Sequence, residues 1–401
     1  MQLAASLLWR LLGMAEVTLT VNGGIHGYVS CPVTARCGKS ACAVKQVTLT
    51  DAKTGAAVPC QVAPVTGADQ VELTWIIDKL APGEERRYVC KCEDGAPKPA
   101  TGGVELTQVG EQRVDVKIGG EAFTSYNFSR EFARPFLHPL IGPYGKPVTR
   151  GFPMLKGVPG ETQDHPHHRS FWVAWGDVNG ADNWSEQPNH GRMVHQKFNA
   201  LSSGPVFGQI STTNFWVDKT GQKLLEEDRD IRIYNLPASV RAVDLTVTLR
   251  ATGGQVRLGD TKEGGICSIR VATSMDAKKG GQIENAYGGV NEKETWGKRA
   301  HWCDYSGPVD GNIVGIAIFD NPSNFRYPTY WHVRDYGLMT ANPFGLSHFK
   351  ADKTQDGSHV IPAGGTMRFT YRVYIHVGDA TIGQVHDKFL NYIFPPAVKV
   401  G

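Results

Sequence analysis

The sequence lacks any apolar run long enough to cross a membrane. The longest clean run, Ile313 to Phe319, has the length of a strand, whereas a membrane-spanning helix needs about 20 apolar residues. Charge of one sign is missing too, because 42 lysines and arginines face 39 aspartates and glutamates without a basic cluster. We therefore expect no membrane span and no nucleic-acid partner.

Several signature motifs of enzymes and metal sites are absent as well. The chain has no GxSxG elbow, no Walker loop and no GxGxxG after a strand, which leaves the serine-hydrolase, nucleotide and dinucleotide classes without support. None of the eight cysteines stands in a CxxC pair, which argues against a zinc knuckle. Six of the eight lie in the first 92 residues and are read either as a disulfide-stapled module or as reduced core thiols.

Short β-favouring runs make up most of the chain. EVTLTV, KQVTLTD, QVELTWII and RRYVCKC alternate in the strand manner and predict a small, immunoglobulin-like β-sandwich over residues 15–100. The Pro/Gly-rich stretch Glu93 to Gly103 is the expected linker. Residues 104–401 predict a mainly β, large antiparallel β-sandwich. Helical spacing is clear only near the end, at Val385, Phe389 and Ile393.

The first 14 residues are interpreted as an N-terminal extension or a mis-called start, with Met14 as the alternative initiator. A secretion signal is the competing interpretation, but no positive charge precedes the apolar part and Arg10 interrupts it. We accordingly favour the cytoplasm over a secreted or periplasmic location.

Side chains suited to acid/base and stacking chemistry concentrate in the second predicted domain. Twelve of 13 histidines and seven of nine tryptophans follow residue 137. The densest segment runs from Glu161 to Trp184 and contains DHPHHR. If this segment is extended, His165 and His167 share one face and His168 the other. A divalent metal held by His165 and His167 is one interpretation, and an acid/base histidine in a hydrogen-bonded loop is the other.

Three later segments carry the remaining candidates. GDTKEGG places Asp260, Lys262 and Glu263 in a Gly-framed turn, where a carboxylate beside a lysine stays ionised. ETWGKRAHWCDYSG and FRYPTYWHVRDYG set aromatic rings beside arginine, histidine and aspartate. About half of these rings belong to the core by ordinary expectation. Charges interleaved with the others favour a cleft that binds a sugar, whose C–H faces stack on rings.

The motifs DHPHHRSFWVAWGDVNGADNW, GDTKEGG, WGKRAHWCDYSG, YPTYWHVRDYG and ANPFG, in this order, resemble a bacterial family called DUF6807. The resemblance covers about Ser125 to Asp379. The name methane oxygenase PmoA often given to that family does not suit a chain without a membrane span. The resemblance implies a role in carbohydrate metabolism. The inferred sandwich is also similar to the supersandwich of galactose mutarotase-like proteins, a likeness of fold class alone.

These observations predict a carbohydrate-active enzyme that acts on a glycoside or a modified sugar, including a keto-sugar, by hydrolysis, β-elimination or epimerisation. The expected catalytic residues are His165, His168, Glu263 and Asp260. The expected substrate contacts are Arg169, Trp172, Asp177, Asn179, Lys262, Trp296, Arg299, Tyr330, His332, Arg334 and Asn342. The alternatives are a non-catalytic carbohydrate-binding protein and a metal-dependent oxygenase with a facial triad built on His165 and His167.

Overall fold

The computed structural model describes residues 16–38, 45–64, 70–94 and 102–401. The predicted extension 1–14, most of the linker and Cys42 lie outside these residues. The strands are β1 (Glu16–Asn22), β2 (Tyr28–Gly38), β3 (Lys45–Asp51), β4 (Ala57–Val58), β5 (Cys60–Pro64), β6 (Gln70–Leu80), β7 (Glu85–Asp94), β8 (Val104–Val109), β9 (Arg113–Ile118), β10 (Glu121–Asn127), β11 (Phe136–His138), β12 (Phe171–Trp175), β13 (Arg192–Ser202), β14 (Phe207–Val217), β15 (Lys223–Tyr234), β16 (Val240–Arg250), β17 (Val256–Leu258), β18 (Gly264–Arg270), β19 (Gln282–Asn285), β20 (Trp302–Val309), β21 (Asn312–Asp320), β22 (Tyr330–Arg334), β23 (Leu338–Asn342), β24 (His359–Ile361), β25 (Thr366–Val377) and β26 (Ala397–Val400). The helices are α1 (Asn291–Thr295), α2 (Leu346–Phe349) and α3 (Val385–Ile393).

Two eight-stranded sheets face each other and form the main body. The first large sheet has the order β22-β23-β18-β12-β11-β10-β9-β8, and the second has β13-β14-β15-β16-β25-β21-β20-β19. Their facing sides share one apolar core, to which the first sheet contributes Ile269 and Trp331 and the second Ile316 and Val373. Paired strands of both sheets run antiparallel, and alternation of apolar and polar residues is typical of such sheets. The predicted mainly β, antiparallel sandwich is confirmed.

A smaller pair of sheets is built from the first seven strands and β26. One sheet has the order β26-β1-β7-β3-β4 and the other β2-β6-β5, with Leu19, Trp75 and Tyr88 in the core between them. The strand β26 belongs to the predicted second domain by sequence, yet it pairs with β1. The division at residues 100 and 104 stays a prediction.

The small sandwich also contacts the second large sheet through side chains. The Gln61 amide oxygen accepts the backbone N–H groups of Val206 and Phe207 at 3.2 and 3.1 Å. Glu72 accepts from Arg232 across 3.0 Å. These contacts hold the two sandwiches together along one side of β14 and β15.

Two further expectations find a clear outcome. The helix predicted near the end of the chain is α3, and it buries Val385 and Phe389.

Among the cysteines, Cys31, Cys267 and Cys303 are buried free thiols. Burial raises the pKa of the Cys267 and Cys303 thiols well above the usual value, so both remain protonated core groups. Among the described residues, no helix is long and apolar enough to span a bilayer.

Candidate functional site

The candidate site lies on the outer side of the first large sheet, opposite the core. Directly paired residues of antiparallel strands point to the same side. His332 pairs with Thr340, Thr340 with Ser268, and Ser268 with Trp172. Arg334 and Arg270 follow two residues along their strands, so both point to this same side. Strands β22, β23, β18 and β12 therefore present a polar row where a core-facing strand would be apolar.

The DHPHHR segment closes over this row as a turn. The His168 N–H donates to the His165 carbonyl at 3.0 Å, and His165 adopts a left-handed conformation with φ 45°. The predicted extended conformation is therefore wrong, because Pro166 occupies the second position of a tight turn, where its fixed φ is favoured. The turn brings His165 and His168 to the same side rather than to opposite ones.

The turn builds a stack of four flat rings. His165 lies between Tyr336 and His168, with ring centroids 4.9 and 4.8 Å apart and planes within 13° of parallel. His168 in turn stacks on Trp172 at 5.3 Å. His167 meets His168 edge to face. The stack exposes only its outer part, since the His165 side chain is 38% exposed while Trp172 and His168 are buried.

Two buried arginines fix the base of this turn. Arg150 and Arg270 both donate to the Asp164 carboxylate, and Arg150 also holds the His165 carbonyl at 3.0 Å. Burial works to raise the pKa of Asp164, but Arg270, His165 and Arg150 outweigh it and lower that pKa. Asp164 is therefore a fixed anion that positions the histidine turn, although it stands directly before His165.

Arg270 also determines the protonation of His168. Its Nη1 lies 3.0 Å from Nδ1 of His168. Because a guanidinium only donates, Nδ1 accepts and the proton of the neutral ring sits on Nε2. Burial, His167 and Arg270 together lower the pKa of His168 well below its usual value. His168 is thus neutral in the physiological range and supports the stack rather than carrying a charge.

His332 has the geometry of a poised base. Its Nδ1 lies 2.6 Å from the Lys262 carbonyl, so Nδ1 carries the proton and Nε2 keeps its lone pair. The ring is only 2% exposed, and burial lowers its pKa to about 4, although the Glu263 charge works in the opposite direction. A neutral imidazole with one fixed tautomer accepts a proton at Nε2.

Glu263 supplies the carboxylate beside His332. Its carboxylate contacts the Lys262 ammonium and its side chain is 47% exposed. Burial alone would raise the pKa of Glu263, but Lys262, His332 and His167 lower it. The negative charge of Glu263 in turn acts to raise the pKa of His167 and of Tyr336. The turn of GDTKEGG and the turn of DHPHHR therefore lie near each other on this side of the sheet, and we call the surface between them the cleft.

The cleft has an aromatic wall on the side of β22. Tyr330 points to the same side as His332 and stacks on Phe349 of α2 at 5.4 Å. The Trp296 ring meets Phe349 edge to face at 5.4 Å and lies 6.5 Å from the His332 ring. Tyr330 and Trp296 are both partly exposed, as a surface for stacking a sugar ring requires.

Several predicted site residues instead hold the loops in place. Asp260 accepts the backbone N–H groups of Ser347 and Gly357 at 3.0 and 2.7 Å. Asn342 is fully buried, donates to the carbonyls of residues 261, 262 and 264, and accepts from residues 344 and 345. Their polar atoms are engaged by the backbone of neighbouring loops. The catalytic role expected of Asp260 and the substrate contact expected of Asn342 stay predictions.

Other predicted contacts also bind protein groups. Arg169 makes a bidentate ion pair with Glu186 at 2.8 and 2.7 Å, and Trp172 is buried at the base of the ring stack, with 1% of its surface exposed. Arg299 donates to the carbonyls of residues 326, 327 and 328. For these three, protein partners or burial replace the substrate contacts that the sequence predicted.

Asp177 and Asn179 shape a turn next to β17. Asp177 accepts from the Gly180 N–H and from Arg257 at 2.9 and 3.0 Å. Asn179 has φ 52° and accepts the Arg257 N–H at 2.7 Å. Asparagine and aspartate tolerate this backbone conformation and bond to nearby main chain. In the polar, Gly-rich loop that was expected to approach a ligand, these two side chains therefore form hydrogen bonds within the turn and to Arg257.

Arg334 is a predicted substrate contact that borders the cleft, as His332 does. It donates to Glu292 at 2.7 Å, and its guanidinium lies 5.8 Å from the centre of the Tyr336 ring. A third of its side chain is exposed. Arg334 is therefore paired with Glu292, and its partly exposed guanidinium lies near the Tyr336 end of the ring stack.

Arg150, Arg270 and His348 were missed by the sequence interpretation. Arg270 ends the otherwise apolar strand GGICSIR, and a buried charge in such a strand is a signal for a paired site. His348 stands in α2, and burial lowers its pKa while Asp260 and Glu263 act against that shift. His348 therefore lies close enough to Glu263 for the carboxylate charge to influence its pKa.

Metal ligation was the tentative expectation for His165 and His167. Their rings are 5.8 Å apart and nearly perpendicular. Within residues 16–38, 45–64, 70–94 and 102–401, no three His, Cys, Asp or Glu side chains form a group that would hold a metal ion. The side chains around the turn therefore do not fit the predicted metal centre.

Comparison with known proteins places most of the chain in one family. A family model described as a family of unknown function, DUF6807, matches residues 113–389. No curated protein matches. Solved structures that resemble the chain include a glycosyl hydrolase family 38 protein and an alpha-mannosidase, both from Enterococcus faecalis and both at 10% identity. They align over 97% and 100% of this chain and 48% and 47% of their own, each with a TM-score of 0.41. The chain thus spans about half the length of these structures.

Proposed function

Since the chain belongs to the DUF6807 family, whose function is unknown, we propose from the cleft itself that the protein is a carbohydrate-active enzyme. Its reaction is proton transfer at a carbon next to a carbonyl group in a keto-sugar or keto-glycoside. Epimerisation and β-elimination both begin with this step. Tyr330 and Trp296 would stack the sugar ring, while charged groups opposite them meet its oxygens.

One observation carries the proposal, namely that a neutral His332, oriented by the Lys262 carbonyl, lies within the electrostatic influence of the Glu263 carboxylate. The Lys262 carbonyl fixes the proton on Nδ1 at 2.6 Å, so that Nε2 is the atom that takes a proton from carbon. The imidazolium formed in this step would be stabilised by the negative charge of Glu263. The Lys262 ammonium would stabilise the oxygen that becomes negative as the enolate forms.

The carboxylates around the cleft favour this chemistry over hydrolysis. Glycoside hydrolysis ordinarily needs two available carboxyl groups that flank the scissile bond. Asp164 is held by Arg150 and Arg270, and Asp260 by backbone N–H groups. Glu292 is held by Arg334. Glu263 contacts the Lys262 ammonium but is 47% exposed, which makes it the carboxylate best able to meet a substrate.

The enolate then has two outcomes with balanced bonds. In epimerisation, a proton returns to the same carbon from the opposite side and no bond to oxygen breaks. In β-elimination, the electron pair of the broken C–H bond forms a C=C bond while the C–O bond to the β substituent breaks. The leaving oxygen takes a proton and departs as an alcohol.

Deuterium exchange tests the proposal whichever product the enzyme forms. We expect wild-type protein, incubated in D2O with a panel of 3-keto-glycosides, to incorporate deuterium next to the carbonyl or to release the aglycone. His332→Gln should lower this exchange by about 100-fold or more, since general-base catalysis typically contributes that much. Asn179→Gln, in a turn next to β17, is the control.

Two results would contradict the proposal. One is exchange in His332→Gln at the wild-type rate. The other is binding of a keto-glycoside or glycan with no exchange and no product in the wild type. The second result would favour a non-catalytic carbohydrate-binding protein, which the aromatic wall of Tyr330 and Trp296 also suits.

A further inference from the structure

A second cavity lies far from the cleft, between the small sandwich and the outer side of the second large sheet. Its volume is about 1780 Å³, larger than the roughly 300 to 1,000 Å³ of ordinary small-molecule sites. Gln61 and Glu72 of the small sandwich form one wall. Strands β13 to β16 and β25 form the floor. We call this cavity the interdomain groove.

The strand register orders the floor into rows of polar side chains. The central row contains Ala200, Ser211, Asp230, Thr246 and Thr370, which pair across five adjacent strands. One flanking row contains Lys197, Thr213, Asp228, Thr248 and Arg368, and the other Ser202, Gln209, Arg232, Asp244 and Arg372. The central row is made mostly of short side chains and the flanking rows contain long ones. The floor is thus a trough that crosses the strands.

The side chains along the trough form hydrogen bonds with one another, and their carboxylates and hydroxyls can still bond to a ligand. Gln209 donates to Asp230 at 2.7 Å, and Thr213 donates to Asp228 at 2.9 Å. The Thr246 and Thr370 hydroxyls lie 3.4 Å apart. A carboxylate accepts several hydrogen bonds and a hydroxyl both donates and accepts. The trough therefore presents alternating donors and acceptors to a ligand.

The charges of the groove exclude two classes of partner. Among the described residues, six basic ones (Arg36, Lys197, Arg229, Arg232, Arg250 and Arg368) and six acidic ones (Glu72, Glu105, Glu226, Asp228, Asp230 and Asp244) line it. A nucleic acid or other polyanion needs a net positive surface. A protein partner needs central apolar or aromatic anchors, and the floor rows contain none. A neutral ligand rich in hydroxyl groups fits both observations.

We propose that the interdomain groove binds a linear, neutral oligosaccharide, laid across the strands along the central row. Neighbouring strands are about 4.8 Å apart, which is comparable to the length of one pyranose unit in an extended chain. Each strand would then meet about one sugar unit through Ser211, Asp230, Thr246 or Thr370. This site is independent of the cleft at His332 and Glu263.

Chain-length dependence of binding is the first test. The probes are soluble β-1,4-linked glucose, mannose and xylose oligosaccharides and β-1,3-linked glucose oligosaccharides, from disaccharide to hexasaccharide, measured by calorimetry and by ligand-observed NMR. We expect affinity for at least one series to rise with each added unit up to the pentasaccharide. Affinity that does not change with length, or no binding in any series, would overturn the proposal.

Substitutions in the interdomain groove test whether the oligosaccharide binds there. Thr246→Arg and Thr370→Arg fill the trough and should weaken the longest bound oligosaccharide by about tenfold or more, equal to about 1.4 kcal/mol. Asp230→Asn keeps the shape and should also weaken binding. Thr107→Arg, on an exposed position of β8, is the matched control. Unchanged affinity in all three groove variants, each with wild-type thermal unfolding, would place the glycan elsewhere and refute the inference.

Discussion

The imidazole Nδ1 of His332 lies 2.6 Å from the carbonyl oxygen of Lys262. This contact joins β22 to the turn that carries Glu263, and it leaves Nε2 as the free nitrogen. The side chain and its neighbouring carboxylate are therefore oriented by backbone geometry, as preorganised catalytic groups usually are.

The first prediction concerns the pH dependence of the reaction. Burial lowers the pKa of His332 to about 4, and the base acts only when it is neutral. The value of kcat/KM should therefore be constant near neutral pH and fall tenfold per pH unit once the pH drops below about 4. Stopped assays in short pulses of acid buffer measure this limb. An inflection near the usual histidine value of about 6.5 would contradict the assignment.

The second prediction concerns the arginine pair beneath the histidine turn. Asp164→Asn leaves the buried Arg150 and Arg270 without their shared anion, and removal of one partner of a buried ion pair costs about 3 to 5 kcal/mol. Because Asp164 is 38% exposed, we expect a smaller loss, about 2 kcal/mol, in denaturant unfolding.

The matched control is Asp177→Asn. The ion pair of Asp177 with Arg257 is more exposed, so the same substitution should cost at most about 1 kcal/mol. Equal losses in the two variants would show that the arginine pair is not held by Asp164.

The third prediction tests Asn342 as the support of the Glu263 turn. Asn342→Leu removes donors from three carbonyls in a buried site, and a buried polar group left unsatisfied costs about 1 to 3 kcal/mol. We expect a loss of at least about 2 kcal/mol in chemical denaturation and a fall in turnover, because the Lys262 carbonyl that orients His332 would shift. Asn199→Leu, at an exposed position of β13, should cost less than half as much.

The fourth prediction concerns stability in acid. Burial lowers the pKa of His138 to about 4, so between about pH 6.5 and pH 4 the unfolded chain binds a proton that the folded protein does not. Stability from this group is complete above the unfolded value of about 6.5 and falls as the pH drops, by up to about 1.4 kcal/mol per pH unit. His138→Leu should flatten the unfolding free energy between pH 6.5 and 4.5 by this amount. A slope equal to that of the wild type would contradict it, and His386→Leu, exposed on α3, is the control.

Sequence patterns were sufficient for most of the fold. Alternation located β1, β3, β6 and β7, and the spacing of Val385 and Phe389 located α3. Both signals are local, since they depend only on which side of one element is buried. The pairing of β26 with β1 was not predicted, because no local pattern encodes a partner at the other end of the chain.

The sequence named several residues of the candidate site but not how they are arranged in space. His332 and Glu263 were named, but Arg150 and Arg270 were not, because their role depends on three loops that meet in space. The turn at His165 was mistaken for an extended segment since the preference of the residue before proline is for β conformations. Asp260, Asn342 and Arg299 carry functional chemistry in principle, yet the hydrogen bonds that they make hold loops.

The pairing of β26 with β1 has a consequence for biosynthesis. During translation β1 emerges from the ribosome early, with one edge of its backbone N–H and C=O groups open. That edge is covered only after the main body has been made and β26 arrives. An open strand edge is a template for pairing with other chains. The nascent protein therefore carries such a template at β1 until β26 has been made, and premature termination before residue 397 would leave this edge uncovered.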